Sequence, residues 1–330
     1  MVGDWRTLWR LDRDHPPVEA GAIAIHPGDP ARVVVTEEWA FYGLLKSDNT
    51  NYHALSDGRE AGGWIMFKYP FTTPRIEVVE VDAAFAVVIN TSRGIHVHCT
   101  DRELSLPDRL GDHDWYALDL VAGRRDGRPI VVAAWDVPRD DRGPHVQAYD
   151  LMTGAPAAKP WVPYGGWSER EQRRLGRCDG RPVAGTLDYF NNLHISDAAT
   201  DFPERLIPLE EEGQSWLELL TVDDRAGPAL ALVLWPDGSV RCYDLAAEAP
   251  YCPPLTGCPG VPSGARLGRW RDRPAAALLT DVGVSLYDLQ DRSWAGHVDL
   301  GAQAYDVAFA PQGELAIVSA RGTLVVQLTP

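Results

Sequence analysis

Gly238-Ser239-Val240-Arg241-Cys242-Tyr243-Asp244-Leu245 is the stretch from which the rest of the chain is read. The turn formers Pro236-Asp237-Gly238 bound it in front and Tyr-Asp-Leu closes it, the pattern of one short strand. The same shape returns. Tyr287-Asp288-Leu289 ends Val284-Ser285-Leu286, and Tyr149-Asp150-Leu151 ends Val146-Gln147-Ala148. Weaker copies end at Ser196-Asp197, Thr100-Asp101 and Ser56-Asp57, and Gly322-Thr323-Leu324-Val325-Val326-Gln327-Leu328 is a last copy without the aspartate. From Asp57 to Leu328 the markers are spaced 44, 49, 47, 47, 44 and 40 residues apart. A period of that length in strand-rich sequence predicts a radially repeated sheet, because each unit alone cannot bury its apolar faces. A helical solenoid of similar period would carry a sustained 3.6-residue apolar rhythm, which this sequence lacks.

The fold class predicted is all-β: a seven-bladed β-propeller of four-stranded antiparallel blades, forming a single domain over residues 1–330. Inner strands precede turns, as Ala22-Ile23-Ala24-Ile25 and Val307-Ala308-Phe309-Ala310 do. Second strands are near-continuous apolar runs, as strands covered on both faces must be: Val33 to Thr36, Ala84 to Asn90, Pro129 to Trp135, Ala229 to Trp235, Ala275 to Thr280 and Leu315 to Ser319. The marker segments are the third strands. Polar edge strands come last, among them Gly63 to Lys68, Pro160 to Pro163 and Ala295 to Val298. The seventh marker strand runs almost to Pro330, which leaves blade seven without a fourth strand of its own. Trp5-Arg6-Thr7-Leu8-Trp9-Arg10-Leu11 is spare, so residues 5–11 are expected to complete blade seven and close the ring.

This arrangement resembles the WD40-repeat family over the whole chain. The resemblance rests on Tyr149-Asp150-Leu151, Tyr243-Asp244-Leu245, Tyr287-Asp288-Leu289 and the Pro-x-Gly turns at 236–238 and 311–313. It is a degenerate likeness: Trp135-Asp136 is the literal Trp-Asp, and it falls at the end of a second strand rather than at a marker. The resemblance implies a scaffold for protein partners, since such rings mostly bind proteins and only a minority of propellers are enzymes. A fold by itself does not fix an activity.

Two segments leave the rhythm. Residues 36–51 are expected to be a long connection between a second and a third strand. Residues 163–180 contain Ser168-Glu169-Arg170-Glu171-Gln172-Arg173-Arg174-Leu175, which predicts one or two helical turns capped by Ser168. Second-to-third and fourth-to-first connections fall on one face of a propeller, and long loops are seldom kept without use. That face gathers aromatic side chains rimmed by acids. Trp39, Tyr42, Phe71, Trp115, Tyr164, Trp167 and Tyr189 are the partner-binding candidates, because Trp and Tyr supply large contact area at low entropic cost. Trp135, Trp235 and Trp216 border buried strands and suit packing instead.

Chemistry is thinly marked. Asp112-His113-Asp114 flanks an imidazole with carboxylates, which favours its cation and suits acid–base work. The WD40 likeness implies a competing role, in which His113 bonds the turn aspartate of its own blade; Asp237 and Asp281 carry the same structural reading. As an enzyme, a small-molecule lyase, cyclase or hydrolase acting at the axial funnel, the chain would use His113, Asp114, Glu37, Glu38, Asp136 and Tyr189. His96 and His98 lie two apart on a third strand and so share a face, but third strands of different blades do not converge on a metal. No cofactor and no metal is assigned. The sequence contains no phosphate loop, nucleophile elbow, zinc-protease motif or dinucleotide fingerprint.

Composition narrows the partners. A net charge of −16 opposes binding to nucleic-acid backbones and anionic membranes, and leaves a protein, a peptide or a small molecule. The absence of a basic-then-apolar leader and of an 18-residue apolar run predicts a cytoplasmic protein. Lys46, Lys68 and Lys159 are the only lysines among 31 basic residues, a bias typical of GC-rich genomes that would place an enzyme reading in bacterial specialised metabolism. Five cysteines without a C-x-x-C pair are expected to be free thiols, although Cys242 and Cys252 are close enough in sequence to face each other across a hairpin.

Overall fold

Among the described residues of the computed structural model every regular element is a β-strand. The model describes residues 5–12, 18–27, 31–41, 45–68, 75–82, 84–91, 94–99, 106–111, 116–136, 145–161, 172–188, 190–200, 202–209 and 217–328. The strands form seven antiparallel sheets, each a meander in chain order, and the fold is an all-β, seven-bladed propeller. Among the described residues no helix is long and apolar enough to cross a membrane.

The chain divides into two compact units. The first, residues 1–78 with 258–330, holds blades one, six and seven. Blade one is Val18–His26, Arg32–Phe41, Leu45–Ala54 and Glu60–Lys68. Blade six is Pro262–Trp270, Arg273–Thr280, Gly283–Asp288 and Ser293–Asp299. Blade seven is Ala304–Phe309, Glu314–Ser319 and Gly322–Leu328, completed by Trp5–Asp12. That last strand pairs with its neighbour from Trp5 opposite Leu328 to Asp12 opposite Gly322, as the spare N-terminal segment predicted. Trp9 then reaches into blade one, where its Nε1 donates to the Leu55 carbonyl at 2.8 Å. Gly58 lies beneath the ring with φ +71°, and a Cβ there would stand 2.7 Å from the indole, so both its conformation and its size are required.

The second unit, residues 79–257, holds most of blade two and all of blades three to five. Blade two is Ile76–Val81, Ala84–Thr91, Gly94–Cys99 and the short Arg109–Leu110. Blade three is Tyr116–Arg125, Arg128–Asp136 and His145–Asp150, with Pro156 and Trp161 bridging Tyr149 and Val146 in the fourth-strand place. Blade four is Gln172–Cys178, Arg181–Leu187, Asn192–Asp197 and Phe202–Pro208. Blade five is Glu218–Asp223, Leu230–Leu234, Val240–Asp244 and a two-residue Ala249–Pro250.

The marker triplets end strands by a repeated set of bonds. Asp150, Asp197, Asp244 and Asp288 each accept, on one carboxylate oxygen, the N–H groups two and three residues ahead, at 2.8–3.1 Å. This turns the chain immediately after the strand, as short acidic side chains do at turns. The next residue is buried and bonds backward to the start of the second strand: Leu151 to Pro129, Leu245 to Ala229 and Leu289 to Pro274, each 3.0 Å. Blade one corrects the marker alignment. There Leu55 makes that bond, to Ala31, and Gly58 bonds Ala54 as Gly154 bonds Asp150. Ala54 thus occupies the marker place, and Asp57 sits three residues late, in the turn.

Two other expectations change. Residues 36–51 are not a long connection: Arg32–Phe41 and Leu45–Ala54 pair continuously from Arg32 opposite Ala54 to Phe41 opposite Leu45. The predicted helical turns over 168–175 give way at 172–175, where Gln172–Cys178 pairs with Arg181–Leu187 as the first strand of blade four. Residues 168–171 lie outside the described residues.

Inner strands carry a bulge in five blades, at Val18/Ala20, Ala117/Asp119, Leu219/Thr221, Pro262/Gly264 and Ala304/Asp306. In two of them the residue that closes the bulge is a buried aspartate that ties blade to blade. Asp119 accepts from Leu120 N at 2.9 Å and from Leu175 N of blade four at 3.1 Å. Asp306 accepts from Val307 N at 2.8 Å and from Ile23 N of blade one at 3.0 Å, and takes the Arg266 guanidinium of blade six at 2.7 and 3.1 Å. Removing the Asp306 carboxylate strands a buried N–H and a half-buried cation. Asp306→Ala is therefore expected to lower unfolding free energy by about 3–5 kcal/mol, against about 1 kcal/mol for Asp57→Ala in its exposed turn, measured by denaturant titration.

Candidate functional site

Blade four presents a hairpin whose tip is held from within. Arg181–Leu187 and Asn192–Asp197 pair up to Leu187 opposite Leu193. Asp188 and Asn192 close the turn, with Asp188 N donating to Asn192 O at 3.0 Å and Asn191 N to Asp188 O at 3.1 Å. Asn191 adopts φ +61°, a left-handed conformation that asparagine tolerates better than most residues. The Asp188 carboxylate organises the rest. It accepts Phe190 N and Asn192 N at 2.8 Å, Asn192 Nδ2 at 3.0 Å and His194 Nε2 at 2.8 Å. Burial pushes this carboxyl up, yet hydrogen bonds from His194, Asn192 and Phe190 outweigh it and hold it below the usual carboxylate value. Beneath the tip Leu187, Leu193, Leu209, Leu217 and Trp235 belong to one buried cluster, which anchors the hairpin in the core. Above it Phe190 is 80% exposed, the most exposed of the large apolar side chains described.

The neighbouring hairpin of blade five is built for rigidity. Trp235 N donates to Ser239 O and Gly238 N to Trp235 O, both at 2.9 Å. Asp237 accepts Ser239 N at 2.8 Å. Hydrogen bonding from Ser239 keeps the Asp237 carboxyl below its usual range. The Arg241 guanidinium lies 3.5 Å from the Trp235 ring centroid, a stacked cation. Trp235 is 3% exposed; Trp135 is fully buried and meets Tyr149 edge-on at 6.1 Å. Both indoles are packing residues, as their places at the ends of buried strands suggested. In blade six Asp281 accepts Val261 N at 2.8 Å, so Asp237 and Asp281 both do structural work.

Most side chains singled out in the sequence are not part of this picture. His113, Asp114, Trp115, Tyr42, Phe71, Tyr164, Trp167 and Tyr189 lie outside the described residues. Glu37, Glu38 and Trp39 occupy ladder positions in Arg32–Phe41, opposite Asn49, Asp48 and Ser47, and Asp136 ends Arg128–Asp136 opposite Tyr116. Phe190 was missed. Its signal is an apolar residue lodged in a turn of Asp188, Asn191 and Asn192, where burial is not available to it.

His96, in Gly94–Cys99, is pushed down to about 4 by burial and by the Arg109 guanidinium, and burial also lowers His98, so both are neutral at physiological pH. His53 Nδ1 meets Gly58 O at 3.1 Å. Among the described residues no group of three or more His, Cys, Asp or Glu side chains is placed to hold a metal ion.

No protein-family model matches the chain. No curated protein matches it either. Many solved structures do. One is the crystal structure of Raptor from Chaetomium thermophilum, which aligns over 100% of this chain with a TM-score of 0.64 and 14% identity. This chain spans 29% of that protein's length. The likeness is one of fold, and it supports a WD40-like propeller.

The tip gives a direct expectation. The lowered Asp188 carboxyl means its contribution is fully present above the unfolded carboxylate value of about 3.8 and is lost as pH falls below it. Amide exchange at Phe190 and Asn192 is expected to be pH-insensitive in its protection from neutrality down to that range. In Asp188→Ala it should quicken roughly 10-fold, with exchange in the Leu230–Leu234 strand unchanged.

Proposed function

We propose that the chain is a protein-interaction module that holds a protein or peptide partner on the loop face of its propeller, with residues 1–330 acting as one module. The observation that carries this reading is Phe190, a large apolar side chain left in solvent at 80% exposure on a tip fixed by six hydrogen bonds to and from Asp188 and by a leucine-rich base. An exposed aromatic ring is common enough on any surface. One that is held rigid has already given up the entropy that binding would otherwise cost, which is how contact residues gain affinity. Tyr189 adjoins it in sequence, and Trp39, Tyr42, Phe71, Trp115, Tyr164 and Trp167 are the further contact candidates of this proposal. The acidic balance of the chain favours a partner with basic residues around its apolar contact. The WD40-like fold is consistent with such a role.

The test uses immobilised full chain against lysate of the source cells. Phe190→Asp and a Trp39/Tyr42/Trp167 triple alanine variant are compared with wild type, with circular dichroism confirming the fold of each. Retention of a saturable partner is expected to drop about 10- to 100-fold in Phe190→Asp. Equal retention by both variants would remove the loop face as the interface.

A further inference from the structure

Blade five ends in an unusual edge. Its third strand, Val240–Asp244, pairs with only two residues of a fourth, through Tyr243 opposite Pro250 and Asp244 opposite Ala249. Tyr251 N then donates to Cys242 O at 2.8 Å. A regular ladder would next set Cys252 against Arg241 and turn its side chain to the other face. Instead the chain bends at Cys252 and Pro253, and it returns only at Leu255, which exchanges bonds with Val240 at 2.8 and 3.1 Å. Cys252 is thus clamped on both sides, next to the residue whose N–H bonds Cys242, and its thiol neighbours that of Cys242. All five cysteines are reduced. The other buried or half-buried thiols meet different groups, Cys178 reaching Asp179 and Cys258 the Pro259 carbonyl.

We propose that Cys242 and Cys252 are a redox pair, oxidised to a disulfide by hydroperoxides and locking the outer edge of blade five. Cys252 is 7% exposed and Cys242 fully buried, so a small peroxide reaches Cys252 first, and a bulky disulfide oxidant reaches neither. Cys252 gives up its proton and its sulfur attacks one peroxide oxygen; the S–O bond forms, the O–O bond breaks, and the leaving oxygen departs with that proton as water or alcohol. Cys242 then attacks the Cys252 sulfur; the S–S bond forms, the S–O bond breaks, and hydroxide leaves with the Cys242 proton as water. Two thiols lose two electrons and one peroxide gains them. The hydrogen bond to Cys252, and then burial, push the Cys242 thiol well above its usual value. Cys242, the more deeply buried of the two, takes the resolving role. Thiols already in contact need little backbone movement to reach disulfide geometry.

The experiment treats the folded chain with hydrogen peroxide, quenches it, and titrates thiols in denaturant. The count is expected to fall from five to three in wild type and to return to five with dithiothreitol. Cleavage after Asp244 and Glu248 separates the two cysteines, so mass spectrometry should find their peptides joined. Oxidised protein should melt about 2–5 °C higher than reduced protein. Cys258→Ser should behave as wild type, whereas Cys242→Ala and Cys252→Ser should form no cross-link. Five thiols remaining in wild type, a cross-link through Cys99, Cys178 or Cys258, or over-oxidation of Cys252 beside an intact Cys242 thiol would each overturn the proposal.

Discussion

The inner-strand aspartates are the interaction on which the blade-to-blade order depends. A blade can pair its own backbone groups by meandering, but its innermost strand ends its ladder on one side. Asp306 and Asp119 resolve this in the same way. A bulge turns a carboxylate sideways, one oxygen caps the next residue of its own strand, and the other accepts an N–H from the inner strand of the following blade. Asp306 adds Arg266 from the preceding blade, so one buried side chain joins blades six, seven and one. The desolvation of that carboxylate is offset only because two N–H groups and a guanidinium converge on it. Apolar packing between blades is nondirectional and would tolerate sliding; these bonds set the register.

How much of this was legible follows from where each residue's constraint lies. Tyr-Asp-Leu at 149–151, 243–245 and 287–289 could be read because each letter does local work: a buried ring, a turn-capping carboxylate and a buried leucine bonded to the second strand. Blade one hid its marker because Ala54 stands where the aspartate would, and the nearby Ser56-Asp57 imitated it. Residues 36–51 looked like a loop because Lys46-Ser47-Asp48-Asn49-Thr50-Asn51 has no apolar alternation; the strand there is sustained by pairing on both sides, with Arg32–Phe41 and with Glu60–Lys68. Around Ser168 the helix-forming Glu, Gln and Arg residues suggested turns of helix, and cross-strand pairing prevailed over propensity from Gln172 onward. The inner bulges left no trace in the sequence, since an extra residue in one strand does not interrupt an apolar run.

The candidate site was less legible than the frame. The Asp188 carboxylate network depends on a turn in which Asn191 is left-handed and Asn192 and His194 point back. None of that is encoded in spacing alone. Phe190 carries its meaning only through exposure, and exposure belongs to the folded chain. A polar turn that contains one apolar residue is a weak pattern until the turn's geometry shows that the residue has nowhere inside to go.

The strand at residues 5–12 also governs how the protein comes to be. It pairs with residues 322–328, so nearly the whole chain must be made between the two halves of one ladder. Trp5 and Trp9 emerge long before the strand that pairs with theirs. Until then the first strand is an apolar edge in search of a partner, and any other exposed strand will serve. Completion of blade seven is therefore an event of very high contact order, which places it late and makes it slow. The same fastening that hides an edge in the finished molecule leaves one open throughout its synthesis.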